Sequence, residues 1–329
     1  MNTNYEKSNP CTKPNVTLSA LALILLFGVF HHKSYSEIDK PSVLSKNTVA
    51  MREISGLAIR DKHLIAASDS ETDLLKAPIK GYESGSIQFG KATRIKLSAP
   101  EGYTLSRNSN WEAVNTDASG RNFLLKENSS QVYIFDQDGK GEKVIELDSE
   151  TLNVQKTKLE GMLLMQNGHI LAASQTAPLT LIEFGPSNQR PLGVSTKTIL
   201  GESESFLMPD DKSYRALAVW TMDKSSCGAA DLARAEDGAV LILGKNCADI
   251  FYVGSLATDD SGLKAERTWS VLKGLKKPAA LVSLPGLGMI IGQDRNSLKK
   301  NILYLRFPGR GIDLDHSIDP IGLADLNVP

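Results

Sequence analysis

A hairpin-like motif recurs five times along this chain of 329 residues and limits the folds open to it. Each copy has a short apolar run, a turn rich in Gly, Asp or Asn, and a second apolar run, which is the pattern of an antiparallel hairpin. No long stretch after residue 37 has the apolar periodicity of a helix, so the predicted fold is all-β. The copies are residues 54–69, 111–127, 159–175, 230–245 and 278–294.

The spacing of the copies predicts a single β-propeller with antiparallel blades, because a third apolar run often follows each hairpin and gives about three to four strands per unit. The longest interval contains residues 204–222, which are either a degenerate sixth unit or an insertion. We therefore expect six blades, with five as the alternative. A propeller closes into a ring, so residues 43–53 and 302–307 are expected to share one blade.

Two series of positions recur with the motif. The first lies at the start of each hairpin, and the second lies 14 or 15 residues later, where the hairpin ends. In an antiparallel hairpin these two ends lie at the same edge, so both series should appear on one face of the ring, near the central channel. The first series is Ser55, Glu112, Glu160, Asp231 and Ala279, and the second is Asp69, Glu127, Gln175, Lys245 and Asp294.

The acids in these series have two interpretations. In one, each carboxylate accepts backbone N–H groups and fixes the connection between blades. In the other, they converge on a cation, for which Ca²⁺ is suited because it accepts six to eight oxygen ligands in flexible geometry. On the second interpretation the predicted catalytic residues are Glu112, Glu160 and Asp231. The predicted metal ligands are the same three with Asp69, Glu127 and Asp294.

The motifs SGLA, WEAV, LEGM, DLA with DGAVLIL, and IIGQD resemble those of exported β-propellers called esterase-like phytase domains, and more distantly the SdiA-regulated propellers. The resemblance covers residues 50–307 and implies a propeller, export, and hydrolysis of a phosphoester or ester. In it the six acids named above match the recurring acids, whereas Ala279-Ala280 replaces an expected Glu-Gly pair and Gln175 replaces an acid. Leu159-Glu160-Gly161 is also similar to the gluconolactonase and paraoxonase type of calcium-dependent propeller.

The N-terminal segment predicts export. Residues 16–30 form an uncharged apolar run preceded by Lys7 and Lys13, so residues 1–36 are expected to be a signal peptide or an N-terminal membrane anchor. Residues 37–329 would then form the propeller in the periplasm or outside the cell. Cys227 and Cys247 lie symmetrically about a turn at Asp237, which predicts a disulfide across that hairpin.

The remaining features narrow the function to two classes. The formal net charge of −1 argues against nucleic acid as a partner, and a membrane would be met only through residues 16–30. No serine-nucleophile or zinc-protease motif occurs, and His63 and His169 are expected to be exposed turn residues. We expect a monomer that is either a metal-assisted hydrolase of a small phosphoester or ester, or a non-catalytic propeller that binds a ligand or a protein.

Overall fold

The computed structural model describes residues 42–83, 86–106, 109–148, 158–247, 249–270, 275 and 277–306. The expected leader, residues 1–36, lies outside the described residues, so its prediction stays untested. Among the described residues, no helix has the length and apolar composition that a membrane span requires.

The strands of the described residues form five blades, counted from the N-terminus. β1 (Ser42–Asn47) pairs with the last blade. Blade I contains β2 (Ile54–Arg60), β3 (His63–Ser68), β4 (Leu74–Glu83), β5 (Ser86–Phe89) and β6 (Thr93–Ile95). Blade II contains β7 (Trp111–Thr116), β8 (Asn122–Lys126), β9 (Gln131–Phe135) and β10 (Gly141–Asp148). Blade III contains β11 (Leu159–Leu164), β12 (Ile170–Ser174), β13 (Thr180–Gly185) and β14 (Ser213–Thr221). Blade IV contains β15 (Gly228–Arg234), β16 (Val240–Lys245), β17 (Ile250–Val253) and β18 (Arg267–Trp269). Blade V contains β19 (Pro278–Leu284), β20 (Gly288–Gln293), β21 (Ile302–Arg306) and β1.

The five inner strands close a ring. β2 contacts β7, β7 contacts β11, β11 contacts β15, β15 contacts β19, and β19 returns to β2. The predicted all-β propeller with antiparallel blades is therefore confirmed. The described residues supply five inner strands to the ring, which is the number given as the alternative to six. Residues 213–221, within the proposed sixth unit, form β14, which completes blade III against β13. At its other edge β14 pairs in parallel with β10, so the outer strands of blades II and III join these two blades into one eight-stranded sheet.

The core of the protein lies between blades rather than within them. Within the described residues there are five apolar clusters, one between each pair of neighbouring blades. On β12, for example, Ile170 and Ala172 pack toward blade II, while Leu171 and Ala173 pack toward blade IV. Because successive side chains of a strand point to opposite faces and both faces are covered here, the strands read as continuous apolar runs.

Ring closure occurs where the sequence predicted it. β1 pairs antiparallel with β21, so an N-terminal strand completes the C-terminal blade. The buried side chain of Asn301 joins the two ends of the chain: its amide donates to the carbonyls of Val49 and Met51, and its carbonyl accepts the Val49 N–H at 3.0 Å.

Every inner hairpin has a β-bulge at the same place. The pairing register skips one residue of the inner strand, which leaves that residue without a partner on the second strand. These bulge residues are Ser55, Glu112, Glu160, Ala230 and Ala279. A bulge re-aims a side chain, so the sequence repeat marks a backbone feature that recurs in all five blades.

The predicted disulfide is present. Cys227 and Cys247 flank the β15–β16 hairpin, and their Cα atoms are 5.6 Å apart in the bonded pair. This separation is within the range that disulfide geometry allows. The bond clamps the open end of the blade IV hairpin, next to two residues, Lys245 and Asn246, that line the cavity described below.

Candidate functional site

A cavity of about 610 Å³ lies at one mouth of the central channel. It is lined by bulge residues from all five blades and by the residues that end the second strands, here called strand-end residues: Asp69, Glu127, Gln175, Lys245 and Asp294. Nine of the ten positions that the sequence assigned to one face line this cavity, and the exception is Asp231. The lining acids are Asp69, Glu112, Glu127, Glu160 and Asp294, so we call it the acidic cavity.

Three carboxylates meet in the acidic cavity. One oxygen from each of Glu112, Glu127 and Glu160 lies within 4.8 Å of the other two. Glu112 and Glu160 are bulge residues of neighbouring blades, and Glu127 begins a short 3₁₀ turn after β8. Ligands around one Ca²⁺ ion sit at about 2.3–2.6 Å from it, so oxygens at this mutual separation can share an ion after small side-chain adjustments.

Burial of these carboxylates opposes their ionisation. Burial, followed by repulsion from Glu160, Asp69 and Glu127, raises the pKa of Glu112 to about 10. Burial also raises the pKa of Glu160, while the contact with Lys245 and a hydrogen bond with Glu112 lower it in part. Without a cation, ionisation of both members of the Glu112–Glu160 pair is therefore unfavourable, because two adjacent buried carboxylates repel each other when both are charged.

Asp69 and Ser55 extend the acidic cavity into blade I. Burial, with repulsion from Asp294 and Glu160 among the smaller causes, raises the pKa of Asp69 to about 7. The Oδ1 atom of Asp69 is buried and has no hydrogen-bond partner, and such an oxygen is costly to leave unsatisfied. The hydroxyl of Ser55, in contrast, donates to the carbonyl of Trp111 in the next blade. A hydrogen bond with Ser55 lowers the pKa of Asp69 in part, so the unpartnered Oδ1 atom, rather than the whole carboxylate, is what Asp69 offers to a ligand.

Three lysines contact the other acids. Lys245 Nζ lies 2.5 Å from Glu160 Oε1, and the amide of Gln175 donates to the same oxygen. Lys158 Nζ lies 2.7 Å from Glu127 Oε1. At the rim, Lys277 Nζ lies 2.8 Å from Asp294 Oδ2. Glu112 and Asp69 contact no lysine within the described residues. The pKa of Glu112 is raised to about 10, and that of Asp69 to about 7.

Asp231 does not belong to the acidic cavity. It is 2% exposed, and its carboxylate accepts the N–H groups of Leu232 at 2.8 Å and of Leu281, in the next blade, at 2.7 Å. The sequence analysis put Asp231 in the first series of positions, but the bulge residue of blade IV is Ala230, one position earlier. Asp231 instead occupies the position of Gly161 in blade III, one residue after the bulge, where the inner strands of neighbouring blades approach closely. Asp231 therefore fits the first interpretation, in which a carboxylate accepts backbone N–H groups and fixes the connection between blades.

His63 and His169 lie outside the acidic cavity. His169 is fully buried, which corrects the expectation of an exposed turn residue: its ring contacts Glu183 Oε1 and Gln189 Oε1, each at 2.6 Å. Glu183 also accepts the N–H groups of Leu192 and Gly193, so this cluster anchors the connection that follows β13. Within the described part of the chain, neither histidine lines the acidic cavity.

The sequence reasoning missed a third series of residues, which lies directly before the inner strands of blades I, II, III and V. The backbone carbonyls of these residues accept the backbone N–H groups of strand-end residues. Glu53 accepts from Asp69, Asn110 from Glu127, Lys158 from Gln175, and Lys277 from Asp294. Asn110 and Lys277 have positive φ values of 50° and 46° and line the cavity. Their position, two residues before the bulge residue in each copy, is the signal that could have identified them.

No protein-family model matches the chain, and no curated protein matches it. Solved structures similar to it include glutaminyl cyclase from Myxococcus xanthus, with 12% identity over 82% of this chain and 94% of that one and a TM-score of 0.44. A gluconolactonase from Xanthomonas campestris has 12% identity over 84% and 86%, with a TM-score of 0.42. The β-propeller domain of Cps50 from Myceliophteria thermophila has 9% identity over 78% and 82%, with a TM-score of 0.40. Similarity at this level assigns no activity, and the fold follows from the strand pairing of the chain itself.

Proposed function

We propose that this propeller is a calcium-dependent hydrolase of small phosphoesters or carboxylic esters, with its site in the acidic cavity. The observation that carries the proposal is the convergence of Glu112, Glu127 and Glu160, whose oxygens lie within 4.8 Å of one another. Two of them are nearly buried, at 7% and 5% exposure, and a cation would relieve the repulsion between them. The unpartnered oxygen of Asp69 in the same cavity supports a ligand there.

The donor set fits Ca²⁺ better than a softer ion, because it consists of carboxylate oxygens with the amide groups of Asn110 and Gln175 nearby. When bound, such an ion supplies Lewis-acid stabilisation of charge that develops on an ester or phosphoryl oxygen. Glu112 and Glu160 would hold the ion, and Asp69, whose buried Oδ1 atom has no hydrogen-bond partner in the same cavity, is placed to accept a proton. Asp231 has no part in this proposal, because its carboxylate oxygens are engaged by backbone N–H groups.

The second candidate is a non-catalytic propeller that binds an ion or a small ligand at the same face. It is favoured by the pairing of Glu127, Glu160 and Asp294 with Lys158, Lys245 and Lys277. Carboxylates that are neutralised by neighbouring lysines can persist in a surface cavity without serving a reaction.

Thermal unfolding of the full chain in calcium and in excess chelator tests the proposal, because a ligand of the native state raises the unfolding midpoint once its concentration exceeds Kd. We expect a calcium-dependent rise that is lost in Glu112→Ala and Glu160→Ala and retained in Glu142→Ala, an exposed acid on β10. The same proteins are then assayed with p-nitrophenyl phosphate and p-nitrophenyl acetate. Calcium stabilisation without turnover of either ester would favour the binding propeller, and no calcium response would contradict both roles for the ion.

A further inference from the structure

The acidic cavity has two chemically different sides. Blades I to III contribute most of its acids, including both bulge carboxylates, Glu112 and Glu160. Blades IV and V carry alanines, Ala230 and Ala279, at the bulge positions. The same two blades contribute the ammonium groups of Lys245 and Lys277 to the lining. A ligand in this cavity therefore meets most of the carboxylates on one side. On the other side it meets two alanines and the ammonium of Lys245, while Lys277 is bound to Asp294 at the rim.

From this arrangement we infer that Lys245 is a specificity-determining residue that holds Glu160 in the metal-free protein and receives the anionic group of the substrate once calcium is bound. This inference rests on the proposed function and deepens it. It names the substrate class as a small ester that carries a phosphate or carboxylate group, and it sets an order in which the cation precedes the anion.

The first step of the argument is competition at one oxygen. Lys245 Nζ lies 2.5 Å from Glu160 Oε1, and the side chain of Gln175 donates to that same oxygen. A calcium ion shared by Glu112, Glu127 and Glu160 would lie close to the ammonium, and two cations at such a distance repel each other strongly where water is partly excluded. Calcium binding should therefore break the contact between Lys245 and Glu160.

The second step concerns what the displaced ammonium can do. The side chain of Lys245 is 36% exposed and lines the cavity, so a modest rotation leaves its charge inside the mouth. An ammonium has three donors and no acceptor, and its strongest partners are carboxylate and phosphate oxygens. Asp294, the strand-end residue of the neighbouring blade V, is already engaged by Lys277. An incoming anion is then the partner that restores the lost contact.

The third step separates Lys245 from Lys277. Lys277 has a side chain that is 72% exposed, and its partner Asp294 is outside the cluster of three converging carboxylates. Calcium need not disturb that pair. Lys277 is therefore a matched control: a lysine on the same side of the same cavity, paired with an acid, that is not expected to change partner.

The space beside Lys245 suits the organic part of such a substrate. Ala230 and Ala279 stand where Glu112 and Glu160 stand in other blades, and Leu275 adds apolar surface to the lining. A carboxylate at either alanine position would repel an anionic substrate. The loss of the acid in blades IV and V is thus consistent with an anion that enters over these two blades.

The test measures calcium and anion binding separately, by calorimetry on the full chain with Lys245→Met, Lys245→Arg and Lys277→Met. The anion probe is phenylphosphonate, which resembles a phosphomonoester and cannot be hydrolysed at an ester bond. For the unchanged protein we expect phenylphosphonate to bind at least tenfold more tightly with calcium than with chelator. Lys245→Met should bind calcium three- to tenfold more tightly, because a competing cation is gone, and phenylphosphonate at least tenfold more weakly. Lys245→Arg should restore most of the anion affinity. Lys277→Met, which removes a rim ammonium already engaged by Asp294, should leave calcium affinity unchanged and weaken phenylphosphonate binding less than about threefold.

Two results would overturn the inference while leaving the proposed function intact: calcium binds but Lys245→Met keeps its affinity for phenylphosphonate, or the anion binds equally well without calcium. Weaker calcium binding by Lys245→Met would also overturn it, because Lys245 would then support the ion rather than compete with it. If the unchanged protein binds no calcium, the proposed function fails and this inference fails with it. Circular dichroism of each variant separates loss of binding from loss of fold.

Discussion

Replacing Glu112 with glutamine should stabilise the calcium-free protein while removing its response to calcium. Burial raises the pKa of Glu112 to about 10, whereas the same side chain in the unfolded chain titrates near 4.5. At neutral pH the folded state therefore keeps a proton that the unfolded state has released. Because the folded state binds more protons, its stability falls as the pH rises between these two values.

The size of the effect follows from the two pKa values. By proton linkage, the cost of retaining the proton is at most about 1 kcal/mol at pH 5 and at most about 4 kcal/mol at pH 7.5. Glutamine is neutral in both states and pays no such cost, and its amide can still donate to Glu160. The advantage of Glu112→Gln over the unchanged protein should therefore grow by up to about 3 kcal/mol across this pH interval.

Urea unfolding in excess chelator at pH 5.0, 6.0 and 7.5 measures this difference directly, because the free energy of unfolding is extrapolated from each curve. Repeating the pH 7.5 curve with calcium should stabilise the unchanged protein and leave Glu112→Gln unaffected. Glu142→Gln, on an exposed face, controls for a general change in charge. A loss of stability in Glu112→Gln that is the same at all three pH values would refute the reasoning, because it would show that the carboxylate is ionised and satisfied in the native protein.

Three further perturbations probe the parts of the fold that hold the cavity. Asp231→Ala should lower the free energy of unfolding by about 2 kcal/mol, because it leaves the buried N–H of Leu281 without an acceptor, and Asp231→Asn should cost less; calorimetry should find calcium affinity unchanged in both. Asn301→Leu removes three hydrogen bonds at the ring closure and should cost about 3 kcal/mol in urea unfolding, and a cost below 1 kcal/mol would mean that strand pairing alone closes the ring. Cys227→Ala with Cys247→Ala opens a loop of 20 residues and should lower stability by about 3 kcal/mol, and treatment of the unchanged protein with a reductant should reproduce that loss.

The sequence was informative about features that recur in every blade. The acids at Glu112 and Glu160 and the strand-end residues Asp69 and Glu127 could be assigned to one face because a hairpin brings its two ends together. The closure of β1 on β21 was predictable for a similar reason, since a ring must join its ends. These inferences depend only on repeated local geometry, which the pattern of apolar runs and turns records.

The errors arose where a contact between blades, rather than a pattern within one, decides the outcome. Asp231 and Ala230 differ by one position, and only the pairing of β15 with β16 reveals which residue is skipped at the bulge. His169 resembled a turn residue because its partner Glu183 lies on β13, beyond the hairpin in which the histidine was judged. The segment that became β14 looked like part of another unit because the connection before it is unusually long.

The closure of the ring also determines the point during synthesis at which β1 can pair. The hydrogen bonds between Val49 and Asn301 join residues 252 positions apart, and β1 pairs with β21, so β1 has no edge to pair with until the chain has been synthesised as far as β21. At about 5–20 residues per second, that wait lasts roughly 12 to 50 seconds. During this interval blades I to IV can assemble in order, while β1 and the open face of blade I stay exposed to other chains. A holding chaperone would be most useful in that window, and the arrival of β21 would end the need for it.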